Sequence, residues 1–341
     1  MAFLNFSNVR IAGVSACVPR NVVDNFCGEG ISKDYNPEDF VKTTGIRERR
    51  VGDLTTSDLC IPAAEKLISD LGWNKEDIEA VIFVSQFRDY ILPATACIIQ
   101  DKLGLSRECY ATDISLGCSG WVYGLSSTVS LMCNGGIKKA LLMAGDARRH
   151  YNAVEPLFGY AGTVTALEYQ EGEKGFSFHF GTDGSGYDAI IIEDGGARNQ
   201  INESSFQHQS IGDGRLEIKM NGMDVFSFGI SAAPKSVKKL VEHFDLDYAD
   251  IDYFVFHQAN MMMNKMITKK LKLQETKCPT NLFHFGNTSS ASIPLVIVTE
   301  LKNKCEKDRT KFICCGFGVG LSWGSVAFET KDIIISDLVE I

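Results

Sequence analysis

The chain has 341 residues, 45% of them hydrophobic and 23% charged, the balance of an ordinary globular protein with a large core and about two domains. Its formal net charge of −9 argues against nucleic acid as the main partner, because phosphate binding needs a basic surface. No apolar run approaches a membrane span, and the first ten residues lack the charged start, long apolar stretch and cleavage site of a secretion signal, so the expected location is the cytoplasm. Thiols stay reduced there. The eleven cysteines show no CxxC spacing, so neither a disulfide framework nor a metal site is indicated.

Taken in order, apolar runs bounded by turn residues predict strands over 9–14, 80–85, 110–115, 140–145 and 162–169. Helical periodicity predicts helices over 58–71, 94–103 and 119–133. That alternation is the rhythm of a parallel or mixed sheet covered by helices. After the polar stretch 171–175 the chain reads as a loop-rich connection through 194–213. A second series follows: a strand over 216–220, a long helix over 224–244, a strand over 253–256, helices over 261–271 and 290–302, and strands over 311–315 and 322–329.

The second series resembles the first. Asp77-Ile78-Glu79-Ala80-Val81-Ile82-Phe83 matches Asp250-Ile251-Asp252-Tyr253-Phe254-Val255-Phe256, and Gly117-Cys118-Ser119 matches Gly286-Asn287-Thr288 at nearly the same offset. Two similar halves are expected, 1–180 and 181–341. Cys118 and Asn287 would then each begin a corresponding helix near a pseudo-twofold axis, with the active site between the halves.

Cys118 stands in a turn of small residues, Gly117-Cys118-Ser119-Gly120, between a short strand and an apolar helix. At a helix start, unpaired N–H groups and the positive end of the macrodipole favour a thiolate, the reactive form. The alternative is inert core filler, the commoner fate of a free cysteine. Three other segments bear on the choice. His257 ends an apolar strand in Phe256-His257-Gln258-Ala259-Asn260, where α/β folds place ligand sites, although a core or capping histidine reads the same way. Asn287 lies in Gly286-Asn287-Thr288-Ser289-Ser290-Ala291-Ser292 and is either a helix cap or a functional amide. Gly316-Phe317-Gly318-Val319-Gly320-Leu321-Ser322-Trp323-Gly324 lets a backbone approach another group closely, or is only a tight connection between strands.

In the order Cys, His, Asn and glycine-rich turn, these segments resemble the 3-oxoacyl-ACP synthase III family of the thiolase superfamily. Thr44-Gly45-Ile46-Arg47-Glu48-Arg49 and Leu157-Phe158-Gly159 extend the resemblance over nearly the whole chain. It implies a thiolase-like duplicated α/β/α/β/α layered fold with two pseudo-symmetric halves, as a homodimer. It implies an acyltransferase without a cofactor, using acyl-CoA or acyl-ACP and malonyl-ACP as substrates and acyl carrier protein as partner. Cys118 would carry the acyl group, and His257 and Asn287 would hold the enolate made when the malonyl thioester loses carbon dioxide. The backbone N–H groups of Cys118 and Val319 would form the oxyanion hole. Leu92, reaching across the dimer, and Trp121 would bound the acyl pocket, and Lys265, Lys269 and Lys270 would dock the carrier protein.

The chain departs from that family where two arginines and a tryptophan usually clamp the CoA nucleotide: Asp39, Thr43 and Met262 stand there. Neither threonine nor methionine can make the bidentate phosphate contact of arginine, so an acetyl-CoA starter is not implied. Tyr160 replaces the usual aspartate after Phe158-Gly159. The same fold and acyl-cysteine would also serve acyl transfer to another nucleophile without decarboxylation. A cysteine hydrolase built from Cys118, His257 and Asn287 is a remoter alternative.

Overall fold

The computed structural model describes residues 2–27, 35–148, 156–207, 214–306 and 309–341. Two sheets carry the fold. The first runs in the order Ile334–Ile335, Val9–Val18, Gly162–Tyr169, Lys139–Gly145, Ala80–Val84, Tyr110–Ile114, with Val339–Glu340 also paired to Val9–Val18. The second runs Ala2–Phe6, Phe176–Thr182, Ser322–Thr330, Thr310–Gly318, Tyr253–Phe256.

Four strands of each sheet share one succession. Val9–Val18 is antiparallel to Gly162–Tyr169, which is antiparallel to Lys139–Gly145, which is parallel to Ala80–Val84. Phe176–Thr182, Ser322–Thr330, Thr310–Gly318 and Tyr253–Phe256 repeat that order and those directions. The termini cross over, since residues 2–6 join the second sheet and 334–340 the first.

Strand periodicity of two explains the layering. Ala80, Ile82 and Val84 face one apolar cluster, while Val81 and Phe83 face another. Val255, Phe312 and Cys314 face the first of these clusters from the other sheet, while Phe254, Phe256, Ile313 and Phe317 face a third. The shared cluster takes in Trp121, Val122, Leu125 and Val129 of helix Gly120–Met132 and Ile293 to Val298 of helix Ser292–Glu300. Those two helices are therefore the central layer, between the sheets. Helices Thr56–Leu71 and Thr95–Leu103 cover the first sheet outside, and Gly222–His243 and Met261–Leu271 cover the second. The result is the expected α/β/α/β/α arrangement.

Two expectations on elements need correction. The stretch after 175 is no simple connection, because Phe176–Thr182 is a central strand whose Phe176, Phe178 and Phe180 pack inward while Ser177 and Gly181 interrupt the apolar pattern. The strand expected over 216–220 shrinks to Lys219–Met220, paired with Ile190–Ile191, and the nearby 208–213 lies outside the described residues.

Candidate active site

Small residues place Cys118. Gly120 donates to the Gly117 carbonyl at 2.7 Å and closes the turn that presents the thiol. A side chain on Gly120 or on Gly124 would put a Cβ 2.6 Å from Val84, so these glycines let helix Gly120–Met132 lie close against strand Ala80–Val84. A Cβ on Gly318 would lie 2.5 Å from the Cys118 Cβ and 2.9 Å from its Sγ. The glycine-rich turn thus approaches the nucleophile as closely as a backbone can. Ser119 and Ser322 hydroxyls, 2.7 Å apart, tie the turn to the start of the helix, and Ser322 also donates to the Val319 carbonyl at 2.8 Å.

His257 follows strand Tyr253–Phe256, and its N–H donates to the Cys315 carbonyl of the neighbouring strand at 2.9 Å. The ring is 2% exposed, with Nδ1 2.8 Å from the Ser292 Oγ and the Phe317 ring packed edge-on against it. Asn287 is buried, and its backbone pairs on both sides with the Leu157-Phe158-Gly159 segment. Arg49 at 1% exposure anchors that segment by donating to the Phe158 carbonyl. The Asn287 Oδ1 accepts the Ser289 N–H at 2.9 Å, which turns its Nδ2 donor away from that contact. Cys118, His257, Asn287 and Val319 all line one cavity of about 590 Å³, whose wall is otherwise mostly apolar.

Electrostatics correct one expectation. Burial pushes the Cys118 thiol up to about 11, against the partial opposition of the Ser289 hydroxyl and the N–H groups of Val319 and Cys118. Removal from water outweighs the pull of the helix start, so the resting thiol is protonated at neutral pH. Burial pushes His257 down to about 3, so its ring is neutral over the whole physiological range.

Buried His179, 2.8 Å from the Ser236 Oγ, is likewise pushed down to about 4 by burial. In the unfolded chain both histidines take up protons near the ordinary value of 6.5, whereas the folded protein excludes them until pH 3 to 4. The unfolded state therefore binds more protons below about 6.5, and stability falls as pH drops from there towards 4. Thermal unfolding should show a lower Tm at pH 5 than at pH 7.5. The difference should shrink in His179→Gln, and an unchanged difference would remove His179 from the account.

Other expected site residues fall elsewhere. Trp121 does not reach the cavity: it is 1% exposed in the central layer, against Phe328 and bonded through its Nε1 to Thr165 Oγ1 at 3.0 Å. Its helix turns that face towards the sheets, so it is a core residue and not a wall of an acyl pocket. Leu92 is 80% exposed and is absent from the cavity of its own chain. Lys265, Lys269 and Lys270 are exposed on one helix, Lys270 bonded to the Ile230 carbonyl at 2.9 Å. Tyr160 lines the cavity while almost fully buried.

Sequence reasoning missed two residues. Ser289 has a φ of 51°, the left-handed region that a non-glycine residue enters at a cost of about 1 kcal/mol. There its N–H serves Asn287, its backbone meets His257, and its Oγ lies 3.8 Å from the Cys118 Sγ. Asp146 is half-buried on the same cavity wall, at the end of strand Lys139–Gly145. Its place after a strand's C-terminal edge was a readable signal.

Profiles of the 3-oxoacyl-ACP synthase III family match residues 112–184, and those of its C-terminal domain match 241–330. A beta-ketoacyl-ACP synthase III of Bacillus cereus is 32% identical over 331 residues, covering 94% of this chain and 99% of its own. The chain belongs to the 3-oxoacyl-ACP synthase III family. A second relative, the beta-ketoacyl-ACP synthase III of Clostridioides difficile, is 34% identical over 92% of this chain and 96% of its own. Among solved structures, a 3-oxoacyl-ACP synthase from Burkholderia xenovorans superposes with a TM-score of 0.92 at 38% identity, covering 100% of this chain and 99% of that one. Membership of this synthase family makes the chain a condensing acyltransferase with a thiolase-like fold. Among the described residues no helix is long and apolar enough to cross a membrane.

Proposed function

We propose that Cys118 takes an acyl group from a thioester and that the acyl-enzyme then condenses with malonyl-ACP, losing carbon dioxide, to give a 3-oxoacyl thioester. The observation that carries this reading is the convergence of the Cys118 thiol, a neutral His257 and the Asn287 amide, its Oδ1 already held by the Ser289 N–H, on one largely apolar cavity. A thioester carbonyl attacked by the Cys118 sulfur develops an oxyanion, which the N–H groups of Cys118 and Val319, both near enough the sulfur to favour its anion, would receive. The carrier thiolate then leaves. When the malonyl carboxylate departs, its electron pair forms an enolate, whose oxygen accepts from His257 and from Asn287 Nδ2. The Ser292 Oγ lies 2.8 Å from Nδ1, and that bond calls for the tautomer in which Nδ1 accepts from Ser292 and the proton sits on Nε2. The enolate carbon attacks the acyl carbonyl and Cys118 is released.

A hydrolase would need His257 as the base for the thiol. Burial instead pushes that ring down to about 3, which leaves it a weak base, and the hydroxyl partner of Cys118 is Ser289. The donor is read as a thioester bound without a bidentate phosphate clamp, since exposed Asp39, Thr43 and Met262 occupy the usual clamp positions. Exposed Lys265 and Lys269 suit docking of an acidic acyl carrier protein. A homodimer is supported by the run Tyr90, Ile91 and Leu92, which are 63%, 79% and 80% exposed. Leu92 would act on the acyl pocket of the second copy.

The test is intact-protein mass spectrometry after incubation with a panel of acyl-CoA and acyl-ACP donors, followed by malonyl-ACP labelled in its free carboxyl. An adduct at Cys118 and release of labelled carbon dioxide that depends on the acyl donor are expected. Acylation with no carbon dioxide released would favour transfer to another nucleophile and overturn the condensation.

A further inference from the structure

The hydroxyl beside the Cys118 thiol is that of Ser289, 3.8 Å from its Sγ, and burial disfavours both a free thiolate and a charged His257. The Asp146 carboxylate spans the two halves of the site. Its Oδ1 accepts the Gln86 N–H at 2.7 Å and the Ser85 hydroxyl at 3.1 Å, and its Oδ2 accepts the Ser290 hydroxyl at 3.0 Å. The Ser289 hydroxyl also lies near enough to favour the charged form of Asp146. An ionised carboxylate only accepts, so in a relay Ser289 donates to it and turns its lone pairs to the Cys118 thiol, 3.8 Å away. The array runs thiol to hydroxyl to carboxylate, and a left-handed Ser289 backbone holds its middle member in place.

We propose that Ser289 and Asp146 form a proton relay for Cys118, with Ser289 as a catalytic residue touching the reacting sulfur and Asp146 as the positioning residue behind it. As a thioester binds, the thiol proton moves to Ser289 Oγ while the Ser289 proton moves to Asp146. The thiolate attacks the carbonyl, forming the new C–S bond, and the carrier C–S bond breaks. The proton on Asp146 returns through Ser289 to the departing carrier thiolate. Atoms and charge balance with no further reactant. Between turnovers the Asp146 charge disfavours a free thiolate, which protects the nucleophile from oxidation and alkylation. Burial raises the Asp146 pKa against its hydroxyl and N–H donors, which suits a group that must hold a proton briefly. Gln86 and Arg148 are the other polar groups on this part of the wall.

The inference rests on Cys118 being the acylated residue, and its test has an arm that needs no acyl donor. Alkylation of Cys118 by iodoacetamide, followed by peptide mapping against pH, reports the free thiolate. The rate of adduct formation with the best donor of the panel reports acylation. In Asp146→Asn the lost like charge should raise alkylation at pH 7 several-fold, while acylation falls about 100-fold. Asp146→Glu should recover much of the acylation. Ser289→Ala, which leaves Asp146 its Ser85, Gln86 and Ser290 donors and so its fold, should lose acylation by a similar factor without faster alkylation. If acylation rose with alkylation in Asp146→Asn, the charge would be a brake alone and the relay wrong. If both rates fell together in both variants, the pair would be structural and the relay overturned. Absence of any adduct on the parent enzyme would strike the condensing-enzyme reading instead, and an alkylation profile unshifted in Asp146→Asn would still overturn this one.

Discussion

Cys118→Ala should form no acyl adduct with any donor and should lose condensation by a factor on the order of 10⁴ or more, the usual scale for removing a covalent nucleophile. Ten other cysteines offer alternatives, yet Cys118 alone of the eleven lines the cavity. Cys17, Cys60, Cys305, Cys314 and Cys315 are buried in the layers, and exposed Cys27 and Cys97 lie away from the cavity wall. Cys118→Ser should be nearly as inactive, because the bond to Ser289 can survive but a hydroxyl is a far weaker nucleophile than a thiol. Mass spectrometry of the intact variants after donor exposure checks both. A stable adduct on Cys118→Ala would mean that another thiol carries the acyl group.

Asn287→Asp and His257→Ala should separate the two halves of the reaction. Each should still accumulate the acyl adduct on Cys118, but each should slow carbon dioxide release and condensation by about 100- to 1000-fold, the effect of losing one donor to a developing oxyanion. Asn287→Asp is the sharper variant. Its carboxylate can still accept the Ser289 N–H that Oδ1 accepts now, so the local fold is kept while the donor is replaced by a like charge facing the enolate. The double variant should be much less than additive if both donors serve one oxygen. Single-turnover measurement of adduct formation and of labelled carbon dioxide release decides the matter. Loss of acylation with condensation in step would place these residues in the first step instead.

Much of the site could be read from the chain because its signals are local. The nucleophile turn, the strand end before His257, and the small-residue turns around Asn287 and Gly318 are each set within about ten residues. Their order along the chain carried the resemblance to the synthase family. The strand at 253–256 and the helix at 261–271 also emerged with their observed limits, because their periodicity is uninterrupted. Strand Phe176–Thr182 carried a readable signal, since Phe176, Phe178 and Phe180 recur at the strand period of two, but it sits beside the polar stretch 171–175 and reads as part of that connection.

Residue types, turn chemistry and the repeated order of elements are short-range properties and legible in the chain, and they marked Cys118, His257 and Asn287 as candidates. The tertiary structure decided what those groups are at rest. A protonated thiol and a neutral imidazole follow from desolvation and from partners far away in the chain, whereas the Asn287 amide is held locally by Ser289, two residues on. Trp121 moved from pocket to core for the same reason, since which side of a helix is covered depends on both sheets packed against it. Asp146 and Ser289, separated by more than a hundred residues, meet beside Cys118 only once the two sheets pack against the central helices. No local pattern records that meeting, because burial and long-range hydrogen bonds exist only in the folded chain.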